Sequence, residues 1–245
     1  MSAALLRGVC VLGGVSILAF AAWAHFARVP DPTVRLATCM PNDCFCEAVS
    51  DGVPRQGSNT WSSIGFVLAG MVLCLTTGRL TEDGQRFTLL YALALYAVGV
   101  GSAYYHAVLT FSGQVVDVLG MYLIITSVIC FERRKRWWGG SWLGAWIVLN
   151  CGGLVLQIGI PALRRYVFAA AAFTLLLDEG RRARGRDLRY LWISLGLFSV
   201  ATVIWVLDIT RIACQPTAII QGHAVWHVLG AAASASLYVH AVQDA

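Results

Sequence analysis

Long apolar stretches alternate with short polar breaks along this chain. The apolar stretches cover residues 4–26, 59–77, 87–109, 114–131, 141–158, 161–178, 190–208 and 222–242. A hydrocarbon core roughly 30 Å thick needs about 20 helical residues to cross it, and these stretches approach or reach that length. Helix breakers and charges fill the gaps: Glu82, Asp83 and Gly84 in one, Glu132 to Arg136 with Gly139 and Gly140 in another, and a run of arginines from Arg181 to Arg189 in a third. Pro161 separates two stretches that would otherwise fuse. Trp and Tyr gather near the stretch ends, where a membrane interface favours them. Backbone groups in lipid must find partners within their own segment, so the pattern predicts helices. The expected architecture is an all-α integral membrane protein, a seven-transmembrane-helix bundle with an additional N-terminal helix.

Three regions follow. Residues 1–28 form an N-terminal transmembrane helix or signal anchor, 29–58 a cysteine-containing extracytoplasmic loop, and 59–245 the seven-helix membrane domain. Arg7, the apolar run from Val9 to Ala22 and the small residues Ala24 and Ala27 resemble a secretory signal peptide. The length of the run and its poor cleavage signal favour an uncleaved anchor.

Composition agrees with the pattern. Apolar residues make up 58% of the chain and charged residues 13%, against about 25% charged in a soluble domain; mean hydropathy is +0.69. The net charge of +5 needs no nucleic-acid partner, because its distribution reports topology. With alternating spans, the N-terminal side receives 12 of the 18 Lys and Arg residues, and the opposite side receives Arg28, Arg35, Arg55, Arg164, Arg165 and Arg211. The positive-inside rule places the N-terminal side, and with eight spans the C-terminus, in the cytoplasm. Cys39, Cys44, Cys46 and Cys214 then fall in the extracytoplasmic loops, whereas Cys10, Cys74, Cys130 and Cys151 lie in or beside the spans. Disulfides form on that outer side. The close pair Cys44 and Cys46 also admits a metal reading, but no adjacent histidine supports it.

Ionisable groups within a membrane are costly and therefore informative. His25 and His240 sit at span ends without evident polar company. The other polar residues share one level near the outer face. Ser102 and His106 lie near the outer end of the third span, Asp117 one turn into the fourth, and His223 and His227 at the start of the last. Asn59 and Asp208 reach the same depth. His223 and His227, four apart, share a helix face and can hold one ion together. Adding His106 makes a three-histidine zinc set with the fourth position open to water, as in catalytic sites. Zinc lowers the pKa of such a water to about 7. Asp117 is placed to handle its proton, and Ser102 to donate to a developing oxyanion. Haem ligation fits less well, because two histidines on one face cannot bracket a macrocycle. A histidine proton relay is the remaining alternative.

At these residues the chain resembles the alkaline ceramidases. Gly101-Ser102-Ala103-Tyr104-Tyr105-His106 followed by Asp117 is similar to their S-x3-H…D pattern, and Gly222-His223-Ala224-Val225-Trp226-His227 to their final H-x3-H helix. Cys46-Glu47, Asn59-Thr60-Trp61-Ser62 and Trp205-x2-Asp208 resemble further family positions. The likeness runs from about residue 44 to 240.

The resemblance implies a seven-helix fold shared with adiponectin-receptor-like proteins, in which His106, His223 and His227 hold zinc. It implies a zinc-dependent amidohydrolase acting on a linear amide, cleaving ceramide-like lipids to a sphingoid base and a fatty acid. Asp117 would act on the water and Ser102 at the carbonyl. It also implies a Cys46–Cys214 disulfide. Animal members of the family bind calcium near the N-terminus. Asp43, Glu47 and Asp51 are the acids here for a second cation site, Ca2+ included, although Cys44 stands where the family has an acid and the loop from Asp51 to Ser58 is shorter. The competing expectation is a receptor-like or scaffold member of the same superfamily without significant turnover.

Overall fold

Each apolar stretch is helical in the computed structural model, which describes residues 3–31, 33–40, 44–76, 80–134, 141–182 and 187–243. The helices are α1 (Ala3–Phe26), the short α2 (Gly57–Ser62), α3 (Ile64–Thr76), α4 (Glu82–Val108), α5 (Phe111–Glu132), α6 (Trp142–Gly159), α7 (Arg164–Arg182), α8 (Arg189–Ile209) and α9 (Gly222–Val242). No strand occurs among the described residues; an isolated bridge joins Leu36 to Thr110. Of the basic residues behind the orientation, Arg79, Lys135, Arg136, Arg184 and Arg186 lie outside the described residues.

Seven helical segments are long and apolar enough to cross a membrane, with α2 and α3 counted as one. The stretch expected at 161–178 is the exception. It folds as α7, but two arginines open that helix and Asp178, Glu179, Arg181 and Arg182 close it, leaving Tyr166–Leu177 as its uncharged part. Those charges are paired at the helix end. Asp178 meets Arg133, and Arg182 meets both Glu132 and Glu179.

His240 departs from expectation there. It is buried, and its Nε2 lies 2.9 Å from Glu179 Oε2. Hydropathy assigned Glu179 to a loop, whereas the last turn of α7 carries it inward against the end of α9.

The core forms around α4. Phe87, Tyr91, Leu95 and Val98 pack with Ile125, Val128 and Phe131 of α5, Leu191 of α8 and Tyr238 of α9. Tyr91 donates to the Ser234 carbonyl at 2.7 Å, and Ser194 to that of Ala233 at 2.8 Å, so these two hydroxyls are satisfied across helices, as polar side chains between membrane helices are. The outer surface is apolar instead. Leu18, Leu75, Val148 and Val155 are 68–72% exposed, the arrangement of a bundle solvated by hydrocarbon.

The turn between α4 and α5 sets the site. Leu109 is left-handed, with φ 53°, a conformation that costs a non-glycine residue roughly 1–3 kcal/mol. Its surroundings enforce it: Leu109 is fully buried, its N–H reaches Tyr105 O at 2.7 Å, and its carbonyl accepts from Ala37 N at 3.0 Å. Thr110 then caps α5 by accepting from Gly113 N. Glycines let the two helices close together. A Cβ on Gly120 would stand 2.5 Å from Val98 Cα, and one on Gly101 would stand 2.8 Å from Val116 Cγ1.

Candidate metal centre

Three histidines from α4 and α9 converge. Ligand atoms of His106, His223 and His227 all lie within 4.8 Å of one another, and all three residues are buried. His106 Nε2 and His223 Nε2 are 3.2 Å apart. Two nitrogens bound tetrahedrally to one zinc at about 2.05 Å would stand about 3.3 Å apart, so the set fits such an ion. Among the described residues this is the one group of three or more His, Cys, Asp or Glu side chains with that convergence.

Surrounding groups hold the rings. His227 Nδ1 lies 2.8 Å from Ser62 Oγ and 3.3 Å from Ser63 Oγ. Both hydroxyls donate to the Asn59 carbonyl, so they meet the imidazole as acceptors. His106 Nδ1 lies 2.9 Å from Gln56 Oε1. Phe45 stacks on His223 with centroids 3.8 Å apart and lies 5.0 Å from His106.

The loop before α9 is bound to α2 and to the strap, the segment between α1 and α2. Cys46 is joined to Cys214 and Cys39 to Cys44. Ala48 N donates to Pro216 O at 3.0 Å, and Ser58 Oγ to Ile219 O at 2.6 Å. Asp208, at the end of α8, accepts from Cys46 N through Oδ2 and from His223 N through Oδ1. Gly222 permits that approach, since a Cβ there would meet the carboxylate at 3.0 Å. Asp208 therefore caps the helix that presents two of the histidines, a task left open by Gln221, which makes no side-chain cap.

Ser102 and Asp117 join the cluster. Ser102 Oγ lies 3.3 Å from His227 Nε2, and Asp117 on the facing helix lies beside the Ser102 hydroxyl. Arg164, whose guanidinium donates to Thr38 Oγ1 at 2.9 Å, is in electrostatic reach of Asp117. The strap acids behave differently. Both oxygens of Glu47 accept backbone N–H groups, from Ser58 at 2.7 Å and Asn59 at 2.9 Å, so this carboxylate caps α2. Asp51 is exposed, and Asp43 lies outside the described residues.

Sequence reasoning did not single out Phe45, Gln56, Ser62 or Ser63 as supports. Asn59 to Ser62 carried a motif signal, but Gln56 lies in a loop whose position opposite His106 only the fold sets.

A multi-helix membrane protein with a buried three-histidine centre is the class that fold and site define. A family model described as Ceramidase matches residues 56–243, and the chain belongs to the ceramidase family. It is similar to alkaline ceramidase 1 of Homo sapiens, at 24% identity over 185 residues, 70% of this chain and 69% of the relative. It is similar to alkaline ceramidase of Caenorhabditis elegans, at 25% over 197 residues, 74% and 72% respectively. Alkaline ceramidase of Drosophila melanogaster is 25% identical over 235 residues, 88% of this chain and 78% of that protein.

Proposed function

We propose that this protein is a zinc-dependent membrane hydrolase that cleaves the amide bond of ceramide-like N-acyl lipids, giving a sphingoid base and a fatty acid. The supporting observation is the convergence of the buried His106, His223, His227 and Ser102, with Asp117 beside the Ser102 hydroxyl, in a chain of the ceramidase family.

His106, His223 and His227 hold the ion. Bound there, zinc would supply Lewis acidity and acidify a water molecule. Ser102, beside His227, donates a hydrogen bond to the carbonyl oxygen as negative charge develops there. Asp117 accepts a proton from the attacking water and returns it to the leaving amine nitrogen. The new C–O bond forms first and the C–N bond then breaks, leaving a carboxylic acid and an amine. The acid proton passes to the amine to give carboxylate and ammonium. Phe45, stacked on His223, shields the centre from bulk water. With α7 taken as an eighth span, the basic asymmetry and loop cysteines support both termini in the cytoplasm and this site toward the extracytoplasmic side.

The test is fatty-acid release from a panel of N-acyl sphingoid bases, using purified protein in liposomes. Turnover that a chelator abolishes and added zinc restores is expected. A zinc-loaded protein that cleaves none of the panel would leave the receptor-like reading standing.

A further inference from the structure

We propose that Gln56 is a positioning residue of the metal centre, fixing His106 in the tautomer that turns a bare Nε2 toward the ion. The inference rests on the metal reading above and concerns a residue outside the ligand set.

Gln56 is fully buried. Its Nε2 donates to the Glu47 backbone carbonyl at 3.2 Å, and a carbonyl can only accept. That contact fixes which end of the amide faces which way. Oε1 is therefore the atom 2.9 Å from His106 Nδ1, and it has no hydrogen to give. Asn59 Nδ2 donates to the same Oε1 at 3.4 Å, which agrees with the assignment. The neutral imidazole must then carry its proton on Nδ1, leaving the Nε2 lone pair free. Nε2 is the atom 3.2 Å from His223 Nε2. The opposite tautomer would set two lone pairs against each other in a buried site, where an unmade hydrogen bond is costly.

The backbone removes slack. Gln56 N donates to His106 O at 3.2 Å, and Arg55 N to Ala107 O at 3.0 Å. Residues 55 and 56 are thus tied to the last turn of α4 at one backbone point each, besides the Gln56 side chain. Glu47 completes the support by capping α2 with its carboxylate while its carbonyl holds Gln56. The strap that the disulfide anchors is therefore also the part that orients a ligand.

Two variants separate orientation from packing. Gln56→Leu and Gln56→Glu both lose the donor to Glu47, but only Gln56→Glu keeps an acceptor for His106 Nδ1. Zinc release is followed from full-length protein in detergent with a chromophoric chelator. Partners of this kind typically change metal affinity by about 10–100-fold. Gln56→Leu is expected to weaken zinc by that factor, and Gln56→Glu to stay within a few-fold of wild type. In the zinc-free protein, 15N spectra of labelled histidine should show the Nδ1–H form of His106 in wild type and Gln56→Glu, and a tautomer mixture in Gln56→Leu. Equal zinc retention in all three proteins overturns the proposal and leaves the metal reading intact. Equal loss in both variants overturns it too, since the role would then be packing. A wild-type protein that holds no zinc removes the metal reading and this proposal together.

Discussion

Asp208 Oδ1 accepts the backbone N–H of His223 at 3.1 Å, so the end of one helix caps the start of the helix that supplies two ligands. Its other oxygen takes Cys46 N at 3.0 Å, so the same carboxylate also holds the strap. Asp208→Asn would turn one acceptor into a donor facing an N–H. A hydrogen bond to a charged group contributes roughly 1.5–3 kcal/mol, and a loss of that size is expected, with lower zinc occupancy. Thermal unfolding in detergent, with and without chelator, measures both. Unchanged melting and full zinc content would show the cap to be dispensable.

Zinc should be present at one ion per chain. His106→Ala, His223→Ala and His227→Ala should each strip it, because two histidines leave an incomplete set. Elemental analysis of the purified variants decides the matter, and full occupancy in all three would sink the ligand assignment.

Asp117→Asn should keep the fold and much of the metal while losing most turnover. A general base typically contributes about 10²–10⁴-fold, and one oxyanion donor such as Ser102 about 10²–10³-fold. Fatty-acid release by Asp117→Asn and Ser102→Ala, normalised to zinc content, checks these losses. An Asp117→Asn protein that holds zinc and works at the wild-type rate would contradict the proton role.

Gly120→Ala tests the close approach of α4 and α5. Its Cβ would lie 2.5 Å from Val98 Cα, so backbone must move, and overpacking of this kind costs about 1–3 kcal/mol. The same shift moves Asp117 away from Ser102, so turnover should fall with stability. Gly144, with nothing within 4 Å of its added Cβ, is the control: Gly144→Ala should be neutral or slightly stabilising. Equal melting temperatures for both variants and wild type would refute the packing argument.

The strap should face the extracytoplasmic side. A single cysteine introduced at Asp51, which is exposed, should react with an impermeant thiol reagent in intact cells after native thiols are blocked. Labelling only after lysis would invert the orientation.

The order of apolar stretches by itself determined the helices, because lipid leaves a backbone no other way to satisfy its hydrogen bonds. The four-residue spacing of His223 and His227 likewise put them on one face before any packing was known. His106, Ser102 and Asp117 were legible as a common layer because alternating spans bring fixed ends to fixed depths. That reasoning gives depth but no azimuth. Which helices touch, and which faces meet, depended on the glycine contacts of α4 with α5 and on the left-handed Leu109 turn. The supporting residues were least legible for the same reason. Gln56 is 50 residues from His106 along the chain, and Asp208 is 162 from Cys46; no local period links such partners. His240 and Glu179 show the converse limit, since hydropathy saw two separate span ends where tertiary packing made one buried pair. Local chain physics thus determined helices and depth, and long-range packing decided the neighbours that turn a layer of polar residues into a centre.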